Sequence, residues 1–292
     1  MGIAVLGPLT VDGGQHLGRR DRVVLSALVV HPGDVVSADV LADVLWGDEL
    51  PASWTKIVQG CVVRLRKALG PRSIETSPRG YRLTIPSDEI DAQRFERAVE
   101  WAGVLLATDA EHAAAVLSGA LRLWRGRPLI EVERWDAARI EAARLEELRQ
   151  LAQETAVEAA LRSGRHSSVL GKAQALVAEA PLRERRSVLL ATAQYRSGRQ
   201  AEALDTVLQL RAVLNRELGV DPAPEIDELQ EAILRQDPAL VPTEADVLMS
   251  LAEELHSVTR QIAGRASEEQ RTAAAKILAD ARRSLRLLLA DA

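Results

Sequence analysis

Residues 55–70 read TKIVQGCVVRLRKALG, and this stretch decides the fold that the sequence predicts. It belongs to a predicted third helix from Pro51 to Leu69, with Pro51 in its first turn and Gly70-Pro71 closing it. At about 100° per residue, one face of this helix is apolar and predicts contact with a core. Its members are Val58, Cys61, Val62, Leu65 and Leu69. The opposite face carries Lys56, Gly60, Val63, Arg64 and Lys67, with Gln59 and Arg66 at its flanks.

The polar face of this helix has the residue types that read the edges of DNA bases. Arg and Lys pair with O6 and N7 of guanine, Gln pairs with adenine, and Gly60 leaves room for close approach in a major groove. The alternative is a solvated basic face, which is the commoner state of such a stripe on an arbitrary helix. The neighbouring predicted elements favour the DNA-binding interpretation.

Those neighbours predict a winged helix-turn-helix. Residues 1–15 form short strands broken by glycine turns. The period changes from Arg19, and the apolar residues of 23–30 suit a short buried helix that His31-Pro32-Gly33-Asp34 ends. Ser37 caps a second helix, whose inner stripe of apolar residues ends before Trp46-Gly47. After the third helix, residues 74–85 form two strands around a Pro78-Arg79-Gly80 tip. Helix, helix, helix and hairpin follow one another in the order of a winged helix-turn-helix.

Charge is distributed unevenly along the chain. The 292 residues have a net charge of −5, which taken as a whole argues against a nucleic-acid binder. Residues 51–83, however, hold seven Lys or Arg side chains and one Glu. The sequence therefore predicts a small basic surface attached to an acidic body.

The chain after Pro86 is predicted to be helical throughout. Apolar residues recur at helical spacing, and the predicted helices span 91–106, 110–124, 134–161, 168–179, 183–196, 200–214 and 225–234. Arg162-Ser163-Gly164-Arg165 recurs as Arg196-Ser197-Gly198-Arg199, 34 residues later. This spacing is the period of tetratricopeptide repeats, in which a glycine permits a tight turn between antiparallel helices.

The last segment, residues 239–292, predicts a helical hairpin. Two apolar seams have the 3–4 spacing of coiled coils: Leu248, Leu251, Leu255, Val258 and Ile262 in the first, and Leu278, Ala281, Leu285 and Leu288 in the second. Gly264 is predicted to end the first helix, and Ser267 with Gln270 to form a capping box for the second. The hairpin either docks on its own domain, dimerises or captures a partner.

Several classes of protein are excluded by what the sequence lacks. Cys61 is the only cysteine, so neither an intrachain disulfide nor a multi-thiolate zinc site can form, and a reducing cytoplasm is expected. The five histidines are scattered, no phosphate-binding loop is complete, and paired carboxylates lie on amphipathic helices. The longest apolar run, residues 23–30, is far below the roughly 18 residues that cross a bilayer. We therefore predict no metal, no cofactor, no enzymatic activity, no membrane segment and no targeting signal.

The chain resembles the Streptomyces antibiotic regulatory proteins over residues 1 to about 238. In the first part of the chain the resemblance rests on Leu6-Gly7-Pro8-Leu9 with Val11, Val36-Ser37, Leu45-Trp46-Gly47-Asp48 with Pro51, residues 62–70 and Gly80-Tyr81-Arg82-Leu83. In the later part it rests on Asp91 with Phe95, Ala120-Leu121, Leu123-Trp124-Arg125-Gly126, Pro181-Leu182-Arg183-Glu184, residues 195–204 and residues 217–222.

The resemblance implies a mainly α architecture in three parts. Residues 1–86 are expected to form an OmpR-like winged helix of the α+β class, and residues 91–238 an all-α, tetratricopeptide-like bacterial transcriptional activation domain. The 239–292 hairpin lies outside the pattern that the family shares. The family's function implies a sequence-specific transcriptional activator, here of a secondary-metabolite or antibiotic gene cluster. It is expected to bind direct repeats in promoter DNA as a homodimer and to recruit RNA polymerase holoenzyme, including its sigma factor.

Transfer onto matching positions gives the expected DNA contacts. Those expected to face bases are Lys56, Gln59, Gly60, Val63 and Arg64. Those expected to hold phosphates or enter the minor groove are Thr55, Arg66, Lys67, Arg79, Tyr81 and Arg82. The helix entry at residues 53–57 and the Gly60-Cys61 pair depart from the family pattern, so the target sequence is expected to differ from that of other members.

Two other functions stay open on the residues alone. One is a tetratricopeptide-type adaptor whose basic helix binds an acidic protein partner. The other is a repressor that binds DNA and occludes a promoter.

Overall fold

The computed structural model of the protein describes residues 2–13, 17–240, 252, 255–256, 258–259, 262–264 and 267–290. Its contacts divide the chain into two compact units, residues 1–159 and 160–292. The first unit contains the predicted winged helix together with the next helices of the chain. Each unit has its own apolar core.

The first unit begins with the predicted winged helix-turn-helix. Strands β1 (Ile3–Ala4) and β2 (Thr10–Val11) pair antiparallel. Helix α1 (Arg19–Val30), strand β3 (Val35–Ser37), helix α2 (Ala38–Trp46) and helix α3 (Trp54–Leu69) follow. Strands β4 (Ile74–Ser77) and β5 (Gly80–Leu83) form the hairpin. The predicted order of three helices and a hairpin is confirmed.

Local chemistry explains where these helices begin. The Ser37 hydroxyl accepts a hydrogen bond from the N–H of Val40 at 3.1 Å, which is the predicted cap of α2. Helix α3 begins at Trp54, three residues later than predicted, because a turn with a Trp54 N–H to Pro51 carbonyl bond precedes it. Pro51 therefore lies in this turn and not in the helix.

A third strand in the hairpin sheet was not predicted from the sequence. β3 pairs antiparallel with β5, so that the strand order is β3-β5-β4. Gly80 has φ +153°, and a Cβ built on it would lie 2.0 Å from the carbonyl oxygen of Val36 in β3. The sheet thus closes only because residue 80 has no side chain.

The first unit continues through α4 (Asp91–Leu105), α5 (Ala110–Leu121) and α6 (Asp136–Arg162), whose last residues belong to the second unit. The Asp91 carboxylate accepts hydrogen bonds from the backbone N–H groups of Val5 at 2.7 Å and Leu6 at 3.1 Å. The backbone N–H groups of Arg125 and Leu129 donate to the carbonyls of Leu6 and Val5. The first strand region is therefore fixed by residues that follow the winged helix in sequence.

The second unit is built from α7 (His166–Glu179), α8 (Glu184–Arg196), α9 (Gln200–Leu218) and α10 (Pro224–Leu234). Gly164 and Gly198 both have φ +77°, and the N–H groups of Arg165 and Arg199 bond back to Ala160 and Gln194 at 2.8 and 2.9 Å. The two copies of the repeated four-residue sequence thus make the same glycine turn. Because the two turns have the same conformation, the structure supports the interpretation of the 34-residue spacing as a tetratricopeptide-like repeat.

Part of the predicted C-terminal hairpin is described. Helix α11 spans Glu268–Ala290, and Ser267 and Gln270 exchange the two hydrogen bonds of the predicted capping box, at 3.0 and 3.3 Å. Gly264 is itself helical. Leu248 and Leu251 of the first seam lie outside the described residues, as do the side chains of Leu285 and Leu288.

Within the described part of the chain, no helix is both long enough and apolar enough to cross a membrane.

Candidate nucleic-acid interface

Helix α3 separates an apolar face from an exposed face, as predicted. Val58, Cys61, Val62 and Leu65 are almost completely buried in the core of the first unit. The other side exposes most of the predicted base-facing and phosphate-holding residues. We call this set the recognition face: Thr55, Lys56, Gln59, Gly60, Val63, Arg64 and Lys67.

The exposed face has the composition expected of a groove-binding surface. Val63 is 64% exposed, and an apolar side chain in a major groove can contact the methyl group of thymine. Lys56, Arg64 and Lys67 place three cationic side chains on the same face, and Gln59 adds an amide. A Cβ on Gly60 would meet only Nη1 of Arg64, at 3.3 Å, so the missing side chain gives the Arg64 guanidinium room to lie along the helix.

Arg64 is held by a residue that the sequence did not predict as part of the site. Its Nε and Nη2 donate to the two carboxylate oxygens of Asp21, with closest distances of 2.9 and 2.7 Å. Asp21 lies in the first turn of α1, and its side chain is only 6% exposed, whereas that of Arg64 is 55% exposed. The charged end of Arg64 therefore lies at the surface but is tied to a buried carboxylate.

The pKa of Asp21 is lowered from its ordinary value. Burial by itself would raise this pKa, but hydrogen bonds from Arg64 and Cys61 and the positive charge of Arg64 outweigh it. The buried thiol of Cys61 lies 3.2 Å from Nη2 of Arg64. Burial first, and then its contact with Asp21, raise the pKa of this thiol to about 11. At neutral pH the site therefore contains a carboxylate, a guanidinium and a neutral thiol.

The hairpin places the remaining predicted residues in different environments. Arg79 is exposed at the tip between β4 and β5. Arg66 donates from Nε to the carbonyl of Ile74 at 2.9 Å and from Nη2 to the hydroxyl of Thr76 at 2.7 Å, so it fastens α3 to β4. Arg82 lies 3.5 Å from Glu75, its cross-strand partner. Tyr81 is 9% exposed and belongs to the core.

We call the β4–β5 hairpin the wing; of the three wing residues predicted to contact phosphates or the minor groove, Arg79, Tyr81 and Arg82, the structure places Arg79 at the exposed tip. Arg66, Tyr81 and Arg82 contact the protein itself. No group of three or more His, Cys, Asp or Glu side chains in the described ranges is arranged to hold a metal ion.

Two family models match the chain, and together they cover most of the described helices. Residues 13–83 match the family described as transcriptional regulatory protein, C terminal, and residues 90–234 match the bacterial transcriptional activator domain. The first match includes the recognition face and the hairpin. The second includes the repeated glycine turns.

Similar proteins are found in Streptomyces and Mycobacterium. The chain is 34% identical to the regulatory protein DnrI of Streptomyces peucetius over 272 residues, which cover 86% of this chain and all of DnrI. It is 35% identical to the transcriptional regulator RedD of Streptomyces coelicolor over 82% of this chain and 71% of RedD. A solved structure of EmbR from Mycobacterium tuberculosis, in complex with a low-affinity phosphopeptide, matches with a TM-score of 0.74 and 33% identity over 89% of this chain and 71% of EmbR.

The chain thus combines a helix-turn-helix that has an exposed basic third helix, a hairpin that packs only because residue 80 is glycine, and a following helical repeat domain. It also aligns with DnrI along that protein's whole length. The protein belongs to the Streptomyces antibiotic regulatory protein family of transcriptional activators.

Proposed function

We propose that the protein binds direct repeats in promoter DNA as a homodimer and recruits RNA polymerase holoenzyme, including its sigma factor, to an antibiotic or other secondary-metabolite gene cluster. The observation that carries this proposal is the recognition face, on which cationic, amide and apolar side chains project from one exposed side of α3. A helix with this face fits a major groove, in which donors and acceptors of the bases differ from pair to pair.

The exposed residues fall into two groups, those that contact bases and those that contact the phosphate backbone. Lys56, Gln59, Gly60, Val63 and Arg64 face bases, and Thr55, Lys67 and Arg79 hold the phosphate backbone. We assign no phosphate contact to Tyr81, since its side chain is buried in the core. Arg66 and Arg82 act through the protein by fixing the wing. Residues 1–86 thus bind the DNA, and residues 91–238 contact the polymerase.

Substitution of two arginines tests the division between base and backbone contacts. Arg64→Ala is expected to lose about 1 to 3 kcal/mol of binding and to relax preference at one base position, because a bidentate base contact is removed. Arg79→Ala is expected to weaken binding to all sequences alike. Both variants are measured by fluorescence anisotropy against a panel of single-base operator substitutions. Equal and sequence-independent losses from the two variants would contradict the assignment of Arg64.

We assign dimerisation to the 239–292 hairpin. In its described residues, Ile277 and Leu287 are 66% and 62% exposed, and Leu255 and Val258 are about half exposed. Burial of such aliphatic area against a second copy would stabilise a dimer. A dimer on two direct repeats gains affinity, because its second binding event is effectively intramolecular.

Truncation after Pro238 tests this assignment. We expect the truncated chain to be a monomer in light scattering. We also expect its affinity for two-repeat DNA to fall by at least about 100-fold, because the gain in affinity from a second, linked repeat is lost. One-repeat binding is the internal control and is expected to stay unchanged. Retained dimerisation and retained two-repeat cooperativity would show that the dimer forms elsewhere, and a lowered melting temperature alone would show that the hairpin docks on its own domain.

A further inference from the structure

We propose that Asp21 is a positioning residue for base recognition, and that it holds the Arg64 guanidinium by one edge so that its other edge meets a guanine. The inference rests on the proposed function, because it concerns how Arg64 reads DNA. It adds a specificity-determining residue that lies outside the recognition helix.

The contact between the two side chains has a defined orientation. Nε and Nη2 of Arg64 form the side-on edge of the guanidinium, and both donate to the Asp21 carboxylate. This bidentate arrangement fixes the plane of the guanidinium as well as its position. An arginine without such a partner has several freely rotating bonds, and ordering them on binding would cost conformational entropy.

A base requires the end-on edge, which shares Nη2 with the edge that Asp21 holds and adds Nη1, which Asp21 does not contact. Nη1 and Nη2 form the end-on edge, whose two parallel N–H groups match O6 and N7 of guanine. Nη1 lies beside Gly60, where a Cβ would come within 3.3 Å of it, so the absence of a side chain at residue 60 leaves space next to Nη1. Nη2 also donates to the thiol of Cys61 at 3.2 Å, and because sulfur is a weak acceptor, we expect this N–H to exchange it for a guanine acceptor when DNA binds.

Asp21 is itself rigid enough to serve as an anchor. It lies in the first turn of α1, and α1 packs against α3 in the core of the first unit. Because the Asp21 carboxylate is held by the core, it fixes the position and orientation of the exposed Arg64 guanidinium. The lowered pKa of Asp21 keeps the carboxylate ionised at neutral pH, so that the anchor is charged whenever DNA is bound.

The pair also has an electrostatic consequence that distinguishes positioning from simple attraction. Asp21 neutralises Arg64, so the pair adds little to the attraction of phosphates. Removal of the Asp21 charge is therefore expected to strengthen binding to any DNA while it weakens discrimination between bases. A merely repulsive Asp21 would give the first effect without the second.

The test uses Asp21→Asn in the full chain, with Asp39→Asn as the matched control. Asp39 is an exposed acid in the first turn of α2, so the control makes the same change of charge. The readout is the dissociation constant for a duplex substituted at the base whose preference Arg64→Ala relaxes, divided by the dissociation constant for the selected operator. We expect Asp21→Asn to lower this ratio by about 5- to 20-fold, within the roughly 5- to 150-fold that a bidentate arginine–guanine contact supplies. Asp39→Asn is expected to leave the ratio unchanged.

The double variant and one measurement on the unaltered protein complete the test. In an Arg64→Ala background, Asp21→Asn is expected to have no further effect on the ratio. In the wild-type complex with operator DNA, the NMR signal of the Arg64 Nε–H is expected to stay protected from exchange, because Asp21 still accepts that hydrogen. This second result does not depend on whether the variant folds.

The outcomes separate this proposal from the proposed function. If Arg64→Ala relaxes one base position but Asp21→Asn leaves the ratio unchanged, or if the Arg64 Nε–H loses protection on operator binding, Asp21 does not position Arg64. If Arg64→Ala leaves discrimination unchanged at every position, the assignment of Arg64 to a base fails and this inference fails with it.

Discussion

Gly80→Ala is expected to lower the free energy of unfolding by at least about 3 kcal/mol and to abolish specific DNA binding. The added Cβ would lie 2.0 Å from the Val36 carbonyl oxygen and 2.7 Å from the Cα of Ser37, both of them backbone atoms of β3. Backbone cannot rotate away as a side chain does, so β3 and β5 must separate. The wing and the start of α2 would then lose their common support.

Gly33→Ala is the matched control for this prediction. Gly33 also has a positive φ, +84°, but a Cβ there would meet no atom within 4 Å. Its expected cost is therefore backbone strain alone, about 1 kcal/mol. Thermal and urea unfolding of both variants measure the difference. Equal losses for Gly33→Ala and Gly80→Ala would show that the close approach of β3 to β5 does not exist.

Asp91→Ala is expected to destabilise the protein by about 2 to 6 kcal/mol, because it leaves two buried backbone N–H groups, those of Val5 and Leu6, without an acceptor. Burial raises the pKa of Asp91, so desolvation offsets part of what its hydrogen bonds contribute. The cost of the substitution is set mainly by the unpaired N–H groups that remain. Loss of the 3.7 Å contact with Arg125 adds to it.

Asp88→Ala provides the comparison for Asp91→Ala. Asp88 is an exposed acid in the short 3₁₀ turn that precedes α4, and its replacement is expected to change stability by less than about 0.5 kcal/mol. Hydrogen exchange of the Val5 and Leu6 amides gives a local readout, since both should become unprotected in Asp91→Ala. Retained protection in that variant would contradict the role of the carboxylate.

Most features of the fold that were predicted correctly depend on sequence patterns within a single helix or turn. The 3.6-residue period of α3 predicted its two faces, the Ser37 cap predicted the start of α2, and the Ser267-Gln270 pair predicted the start of α11. Each of these depends on residues within one or two turns of each other. The glycine turns at Gly164 and Gly198 belong to the same class, because the residue that adopts φ +77° is the residue that the repeat marks.

Contacts between distant residues could not be predicted in this way. β3 is only three residues long, and it exists as a strand because β5, more than 40 residues later, pairs with it. Asp21 reads as an ordinary acid at the start of α1, which is a common place for one. Only the packing of α1 on α3 shows that its carboxylate reaches Arg64, 43 residues away. Likewise, Tyr81 and Arg66 have side chains that can donate hydrogen bonds to phosphates, but in the fold Tyr81 is buried in the core and Arg66 donates to the carbonyl of Ile74.

The central claim is that the recognition face of α3 binds duplex DNA, and the salt dependence of binding tests it most directly. The full chain is titrated with a duplex that it has itself selected from a random-sequence pool, at a series of KCl concentrations from about 50 to 300 mM. With the three phosphate contacts assigned to each protomer, those of Thr55, Lys67 and Arg79, the logarithm of the association constant is predicted to fall against the logarithm of salt with a slope of about −2 to −3 per protomer. A slope near zero, or the failure of the chain to select any duplex, would contradict the account.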